Sequence, residues 1–399
     1  MRGLQRVPFG AFWVAALLSS MAEAAQSLAL AWYLSDLRLP VTVLAALQGS
    51  DLLGTLTGVA TGAWSVRRFG QRRTLVGALL LEGVVCVVVA IAAFAPGKDV
   101  SVGQAYVVAV IAGVVPFATA ISSPAWAALV SRWPGTKSDT RQLLLDGVQY
   151  QVGGFLGPLF GGLVIGTVMH ALQWLSAMNA LTNILLAVLV LMLLGFPEPR
   201  SIGTHITQKV AIGPLLKYPA IWGMAASSFA AESSRIYLPR ILRQSGENAG
   251  TLSIVLALIS AAAVFAGIVA SRLYLQNRTL AGIALVDLGL GLGVWAFTPF
   301  IHPFGWFVGA VIVGTAVGIV HAPLIAMLME HAGEEQRALG AASGMTVRAI
   351  AGAMGGMIFA ALVSPLGSLV YLVTSATTLA TGMSFAGFNK RSRREEKSR

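Results

Sequence analysis

The sequence predicts an all-α integral membrane protein of twelve spans in two similar six-helix halves, and three observations predict it. Of 399 residues, 56% are hydrophobic and only 11% are charged. A soluble chain carries about 25% charged residues to cover its surface. A mean hydropathy of +0.77 leaves no polar stretch long enough for a soluble domain. Between the charge clusters, apolar runs recur at the length of about 20 residues that a helix needs to cross hydrocarbon. The two halves also repeat one another in sequence.

Taken in order, the first-half spans fall at 8–33, 41–64, 74–95, 103–128, 142–167 and 171–194. The first follows Arg2 and Arg6 without a small-residue cleavage site, so it reads as a retained span and not a signal peptide. The longest connection, 195–218, holds Pro197, Pro199 and Pro214 and divides the chain into bundles 1–194 and 219–388. The second-half spans fall at 219–241, 250–271, 279–299, 304–329, 338–363 and 368–388, and a basic tail occupies 389–399.

Orientation follows from the basic residues, which favour the cytoplasmic side. Twenty-one of the 27 Lys and Arg fall on the side of both termini, including Arg67, Arg68, Arg72 and Arg73 between spans 2 and 3. Only Arg38, Lys98, Arg240 and Arg243 fall opposite. Both termini are therefore expected in the cytoplasm. The tail reads as a disordered anchor for anionic lipids. The net charge of +11 thus reports orientation and not a nucleic-acid partner.

Composition also narrows the chemistry. Cys86 is the one cysteine, so an internal disulfide is excluded and a thiolate metal site has no partners. No P-loop, His-Glu-x-x-His or Gly-x-Ser-x-Gly string occurs. The reading is a protein that is no enzyme, with no cofactor and no metal, working as a monomer.

The repeat is ordered. Trp13, Glu23 and Gln26 match Trp222, Glu232 and Arg235 at one spacing. The string Arg73-Thr74-Leu75-Val76-Gly77, with Glu82 beyond it, matches Arg278-Thr279-Leu280-Ala281-Gly282 with Asp287. Pro124-Ala125-Trp126 matches Pro323-Leu324-Ile325. Parallel six-helix repeats characterise a transporter architecture with its substrate site near the midplane, at the repeat interface.

On these features the chain resembles the major facilitator superfamily over nearly its whole length. Gly62, Arg67, Gly70, Arg72 and Arg73 resemble that family's loop motif Gly-x-x-x-Asp-Arg/Lys-x-Gly-Arg/Lys-Arg/Lys, with one extra residue before Gly70. Val66 stands in the place of the motif's acid, and Ser271, between Gly267 and Arg272, stands there in the second half. The family's acid helps to latch the halves, so the resemblance implies that a latch here rests on other contacts. In span 5, Gly153, Gly157, Pro158, Gly161 and Gly162 resemble the Gly-x-x-x-Gly-Pro-x-x-Gly-Gly motif of the family's exporters and antiporters. Glycines four apart admit a neighbouring helix closely, and a proline permits a bend; plain packing accounts for the same residues. The strings Ser19-Ser20-Met21-Ala22-Glu23, Ala29-Leu30-Ala31-Trp32 and Ser123-Pro124-Ala125 resemble the proton-coupled exporter branch that handles drugs and siderophores of the macrolide and enterobactin type.

Ionisable groups inside a bilayer are costly and mark pathways or partners. Glu23 and Glu232 lie about ten residues into their spans, near the midplane at a rise of about 1.5 Å per residue. Glu232 has Arg235 three residues on, on the same helix face, and a paired glutamate stays ionised. Glu23 has Gln26 at that place, so its own helix offers no cation. Glu23 is therefore the expected proton carrier, with Asp51 next and Glu232 as a third candidate. A structural bond from Glu23 to a neighbouring helix is the competing reading. Glu82, Asp146 and Asp287 read as structural. Span 7 is the least apolar of the twelve, which suits a cavity wall. Gln26, Tyr150, Gln151, Arg235, Tyr237, His321 and Arg348 are the candidate substrate contacts. Arg348 is expected either to neutralise Glu232 or Asp287 or to meet an anionic part of the substrate.

The function expected is secondary transport by alternating access in the bacterial inner membrane, exporting a small amphipathic organic molecule in exchange for protons. Uptake symport, passive facilitation and a non-transporting sensor or assembly subunit are the alternatives.

Overall fold

The computed structural model describes residues 9–94, 101–131, 139–192, 217–272, 275–301, 304–332 and 337–397. All of the regular structure among them is helical. Most of the 195–218 connection and Arg2, Arg6 and Lys98 lie outside the described residues.

The chain forms two compact units. The first comprises Met1–Thr207 together with Asn248–Ser253, and the second comprises Gln208–Glu247 and Ile254–Arg399. The first unit is built from α1 (Phe9–Leu34), α2 (Thr42–Phe69), α3 (Gln71–Ala92), α4 (Val102–Ala112), α5 (Val114–Ser131), α6 (Asp139–Thr167) and α7 (Ala171–Met192). The second is built from α8 (Pro219–Gln244), most of α9 (Ala249–Arg272), α10 (Asn277–Ala296), α11 (Thr298–Ile301), α12 (Phe304–Ala332), α13 (Arg337–Leu366) and α14 (Tyr371–Lys397).

Nine stretches among the described residues are long and apolar enough to cross a membrane. Two expected spans are not among them. In α6 the apolar stretch among the described residues is Val152–Thr167. In α8 the serines and Glu232 lower the mean hydropathy. The last two expected spans form one apolar run, Thr346–Phe385, through the 3-10 turn Gly367–Val370.

Span 103–128 is interrupted at Gly113, where α4 gives way to α5. The cause is local. Ser50 of α2 sits where a side chain at 113 would go, with its Oγ 2.8 Å from the Leu47 carbonyl and 3.0 Å from the Ala109 carbonyl. That hydroxyl supplies a donor where the helical ladder is interrupted. Between α2 and α3 the chain turns on Gly70 alone, at φ 83°, a conformation glycine adopts without steric cost. The tail expected to be disordered is a correction: α14 continues to Lys397, since Lys390–Lys397 lacks Pro and Gly and is rich in Lys, Arg and Glu, which favour helix.

Each unit has its own apolar core. In the first, Phe12, Leu75, Leu79, Leu186 and Val190 join α1, α3 and α7, and Phe12 stacks on Trp126 at 5.2 Å. In the second, Ile221, Met224, Leu285, Val320, Leu324 and Phe385 join α8, α10, α12 and α14. Outside these cores, Leu53, Val84, Ile91, Leu163, Leu181 and Phe265 are each more than half exposed. An apolar exterior of that extent is stable only against lipid.

The glycines of span 5 seat α6 on α1. A Cβ at Gly153 would lie 2.6 Å from the Ser20 Cβ, and one at Gly157 would lie 2.6 Å from the Ala24 Cβ. At Gly161 it would lie 3.1 Å from the Ala25 Cα. Gly162 faces Ser253, whose Oγ donates to the Pro158 carbonyl at 2.6 Å. Overpacking such a seam costs about 1–3 kcal/mol. Gly157→Val should therefore lower the thermal midpoint of the purified protein by several degrees. Gly166→Ala, with nothing within 4 Å of the added Cβ, should leave it unchanged. Equal midpoints for the two variants would refute the close α1–α6 seam.

Candidate functional site

Polar side chains inside the apolar rods collect at two places, one in each unit. In the first unit three helices each present polar residues one turn apart: Ser19, Glu23 and Gln26 on α1, Glu82 and Cys86 on α3, and Asn179 and Asn183 on α7. Residues three and four apart share a helix face, so each helix presents a short polar stripe.

The stripes interlock. Ser19 Oγ donates to Asn183 Oδ1 at 3.0 Å, and Asn183 Nδ2 donates to Asn179 Oδ1 at 3.4 Å. Asn179 Nδ2 donates to Gln26 Oε1 at 2.5 Å and approaches Cys86 Sγ at 3.4 Å. The Cys86 thiol donates to the same Gln26 oxygen at 3.2 Å. The Asn183 side chain also hydrogen-bonds the Glu82 carboxyl, and Glu23 acts electrostatically on both Glu82 and Cys86. Asn179 and Asn183 are each only 1% exposed. Buried polar groups persist when they are hydrogen-bonded, and this network bonds one helix to the next around two carboxyls.

The second unit places a different set around the repeat-equivalent glutamate. Glu232 of α8 accepts from Arg348 Nη2 of α13 at 2.9 Å. Gly352, one turn beyond Arg348, makes room: a Cβ there would lie 3.0 Å from the Glu232 Cγ. Arg235 and His321 of α12 also act electrostatically on Glu232, and Arg235 is exposed. His321 Nε2 is buried without a hydrogen-bond partner among the described residues. Of the pairings open to Arg348, the structure forms the one with Glu232. About a third of each side chain is accessible, 36% for Arg348 and 34% for Glu232. The pair is therefore within reach of a ligand and is not sealed in the core.

The remaining expected residues divide. Gln26 is committed to Asn179 and Cys86 and so holds helices together. Tyr237 is packed at 0% exposure against Phe359, with ring centroids 5.9 Å apart, and its ring has no open face for a substrate. Tyr150 is exposed on α6, beside Gln149, which donates to the Ala16 carbonyl at 2.7 Å. Asp51 is half-buried on α2, as is Asp287 on α10. The side chains of Gln151, Arg67 and Asp146 lie outside the described residues. Of the loop motif, Gly62 packs on Ile121 of α5, and Arg73 is exposed. Arg72 Nη2 donates to the Leu191 carbonyl at 2.7 Å, satisfying an acceptor left free in the last turn of α7.

Sequence reasoning missed Asn179 and Asn183; the bond to a neighbouring helix expected of Glu82 is one that Asn183 supplies. Two asparagines one turn apart in an otherwise apolar span are a signal in themselves, because an amide in hydrocarbon needs a partner.

The sequence profile of the Major Facilitator Superfamily matches residues 12–356. No curated protein sequence matches the chain significantly. Among solved structures, the xylose transporter XylE of E. coli in its inward-open conformation is similar over 95% of this chain and 96% of its own, at 14% identity and a TM-score of 0.72. A POT family transporter in complex with 5-aminolevulinic acid covers 98% of this chain and 96% of its own, at 13% identity and a TM-score of 0.71. The human organic anion transporter MFSD10 covers 94% of this chain and 97% of its own, at 14% identity and a TM-score of 0.64. At these identities the likeness is one of fold.

Cys86, at 0% exposure, gives the buried network its own reporter. A maleimide should label it only as the protein unfolds. Asn179→Leu, which removes the amide that donates to Gln26 and approaches Cys86, should cost about 1–3 kcal/mol and move the onset of labelling to lower temperature. Rapid labelling of the folded wild type would show that the network is open.

Proposed function

The chain belongs to the Major Facilitator Superfamily, and from that premise we propose that it exports a small amphipathic organic molecule from a bacterial cytoplasm, in exchange for protons, by alternating access. Its twelve spans form the bundles 1–194 and 219–388, with both termini cytoplasmic. It works as a monomer, with the basic residues of 389–399 facing anionic lipid headgroups. The span 5 glycine motif and the exporter-like strings around Glu23 and Trp32 support the direction of transport.

The observation that carries the coupling is the pair of carboxyls in the first unit's polar network. Glu23 and Glu82 act on one another across α1 and α3, and Asn183 bonds the Glu82 carboxyl. Two like charges in a medium of low permittivity repel strongly, so a proton on one of them relieves the pair. The network then offers the proton's carboxyl a defined set of donors and acceptors. Glu23 is the carrier in this reading, and Glu82 is its counterpart rather than a structural bystander. Asp51 and Glu232 stand as secondary coupling residues. Coupling follows if the protonated and deprotonated pair favour different members of one two-state equilibrium, since a ligand that binds both states equally moves nothing.

Everted membrane vesicles, energised by a proton gradient, test the reading with a panel of fluorescent amphipathic dyes. Wild-type vesicles should accumulate a dye, and a protonophore should stop it. Glu23→Gln should lower gradient-driven accumulation at least tenfold while sparing exchange without a gradient. Undiminished pumping by Glu23→Gln removes the proton from Glu23, and accumulation only in right-side-out vesicles reverses the direction.

A further inference from the structure

The second unit carries an excess of positive charge where the first carries an excess of negative charge. On α8, α12 and α13, two guanidinium groups, Arg235 and Arg348, surround one carboxylate, Glu232. His321 adds a polar atom, Nε2, that has no protein partner among the described residues. A cation held in a membrane span is costly unless it meets an opposite charge or water. Glu232 neutralises only one of the two. Arg235 is exposed, and a guanidinium exposed midway along a span faces an aqueous cavity and not lipid. The ion pair itself is about one-third accessible on both sides. Gly352 leaves room for the Glu232 side chain against α13, where its carboxylate meets Arg348.

We propose that this cluster binds the anionic group of a small organic monoanion, such as an aromatic carboxylate. Arg235 makes the primary contact. Arg348 is shared between the ligand and Glu232, and His321, whose Nε2 is buried without a partner among the described residues, acts electrostatically on Arg348 and Glu232. Guanidinium groups recognise carboxylates through charge-assisted hydrogen bonds, which are stronger than neutral ones. Because Glu232 and the ligand draw on the same cation, they compete. The proposal rests on the transporter reading only in naming the occupant as cargo; the site itself stands on the second unit alone.

Three probes share a ring system and differ in charge: 2-naphthoate, 2-naphthamide and 2-naphthylmethylammonium. Binding to the purified full-length protein is read as ligand-dependent thermal stabilisation, since a ligand that binds only the folded state raises its midpoint with concentration. The naphthoate should stabilise the wild type, and the amide and ammonium should not. Arg235→Gln should weaken naphthoate binding by about tenfold to a hundredfold, the worth of one charge-assisted contact. Glu232→Gln removes the competing carboxylate and should tighten naphthoate binding several-fold, a gain that a misfolded variant cannot produce. Equal stabilisation by the amide, no stabilisation by the naphthoate, no effect of Arg235→Gln, or weaker binding in Glu232→Gln each overturns the proposal. The measurement uses no gradient, so its failure is separate from a failure of proton-driven export in vesicles.

Discussion

A polar side chain carried into hydrocarbon must find its partners inside the protein. Everything distinctive about this chain follows from how it meets that demand. The long apolar rods need only length and packing. Their few polar residues need specific neighbours, and those neighbours decide what each residue can do. Glu23 and Glu232 occupy equivalent places in the sequence repeat. In the first unit the glutamate lies among a second carboxyl, two asparagines and a glutamine. In the second it is held by Arg348 with Arg235 nearby. One scaffold position thus has opposite electrostatic settings, a second carboxyl in the first unit and guanidinium groups in the second.

Small residues make these arrangements possible. Gly153, Gly157 and Gly161 bring α6 close against α1, the helix that carries Glu23. Gly352 performs the same service for Glu232 against α13. The loop motif departs from the family's pattern. Its acid is absent, with Val66 in place, and Arg72 ties α3 to the last turn of α7 through a carbonyl. That contact caps a helix within one unit, a structural role that no acid is needed to fill.

The apolar periodicity and the repeat made the fold class legible, because span length and duplication are one-dimensional properties. Helix partners are not. The interruption at Gly113 is announced by Gly113 and Pro116, but its packing partner Ser50, more than sixty residues away in sequence, is not. Tyr237 looked available for stacking because it follows the polar face of span 7, yet one further step around the helix points it at Phe359. From the sequence Glu82 reads as bonded to a neighbouring helix or a loop arginine, with nothing to say which. Its companions stand on α1 and α7. The pairing of Glu232 with Arg348 was within reach of charge reasoning, since a cation and an anion in midspan are expected to meet.

The central proposal is that the Glu23–Glu82 pair carries the proton, while Glu232 is engaged by Arg348. Infrared difference spectroscopy of the purified protein at neutral pH reads this directly, through the absorbance of protonated carboxyl groups. The account predicts a protonated carboxyl band in the wild type that vanishes in the Glu23→Gln, Glu82→Gln double variant and survives in Glu232→Gln. A band that survives the double variant and vanishes with Glu232→Gln would contradict it.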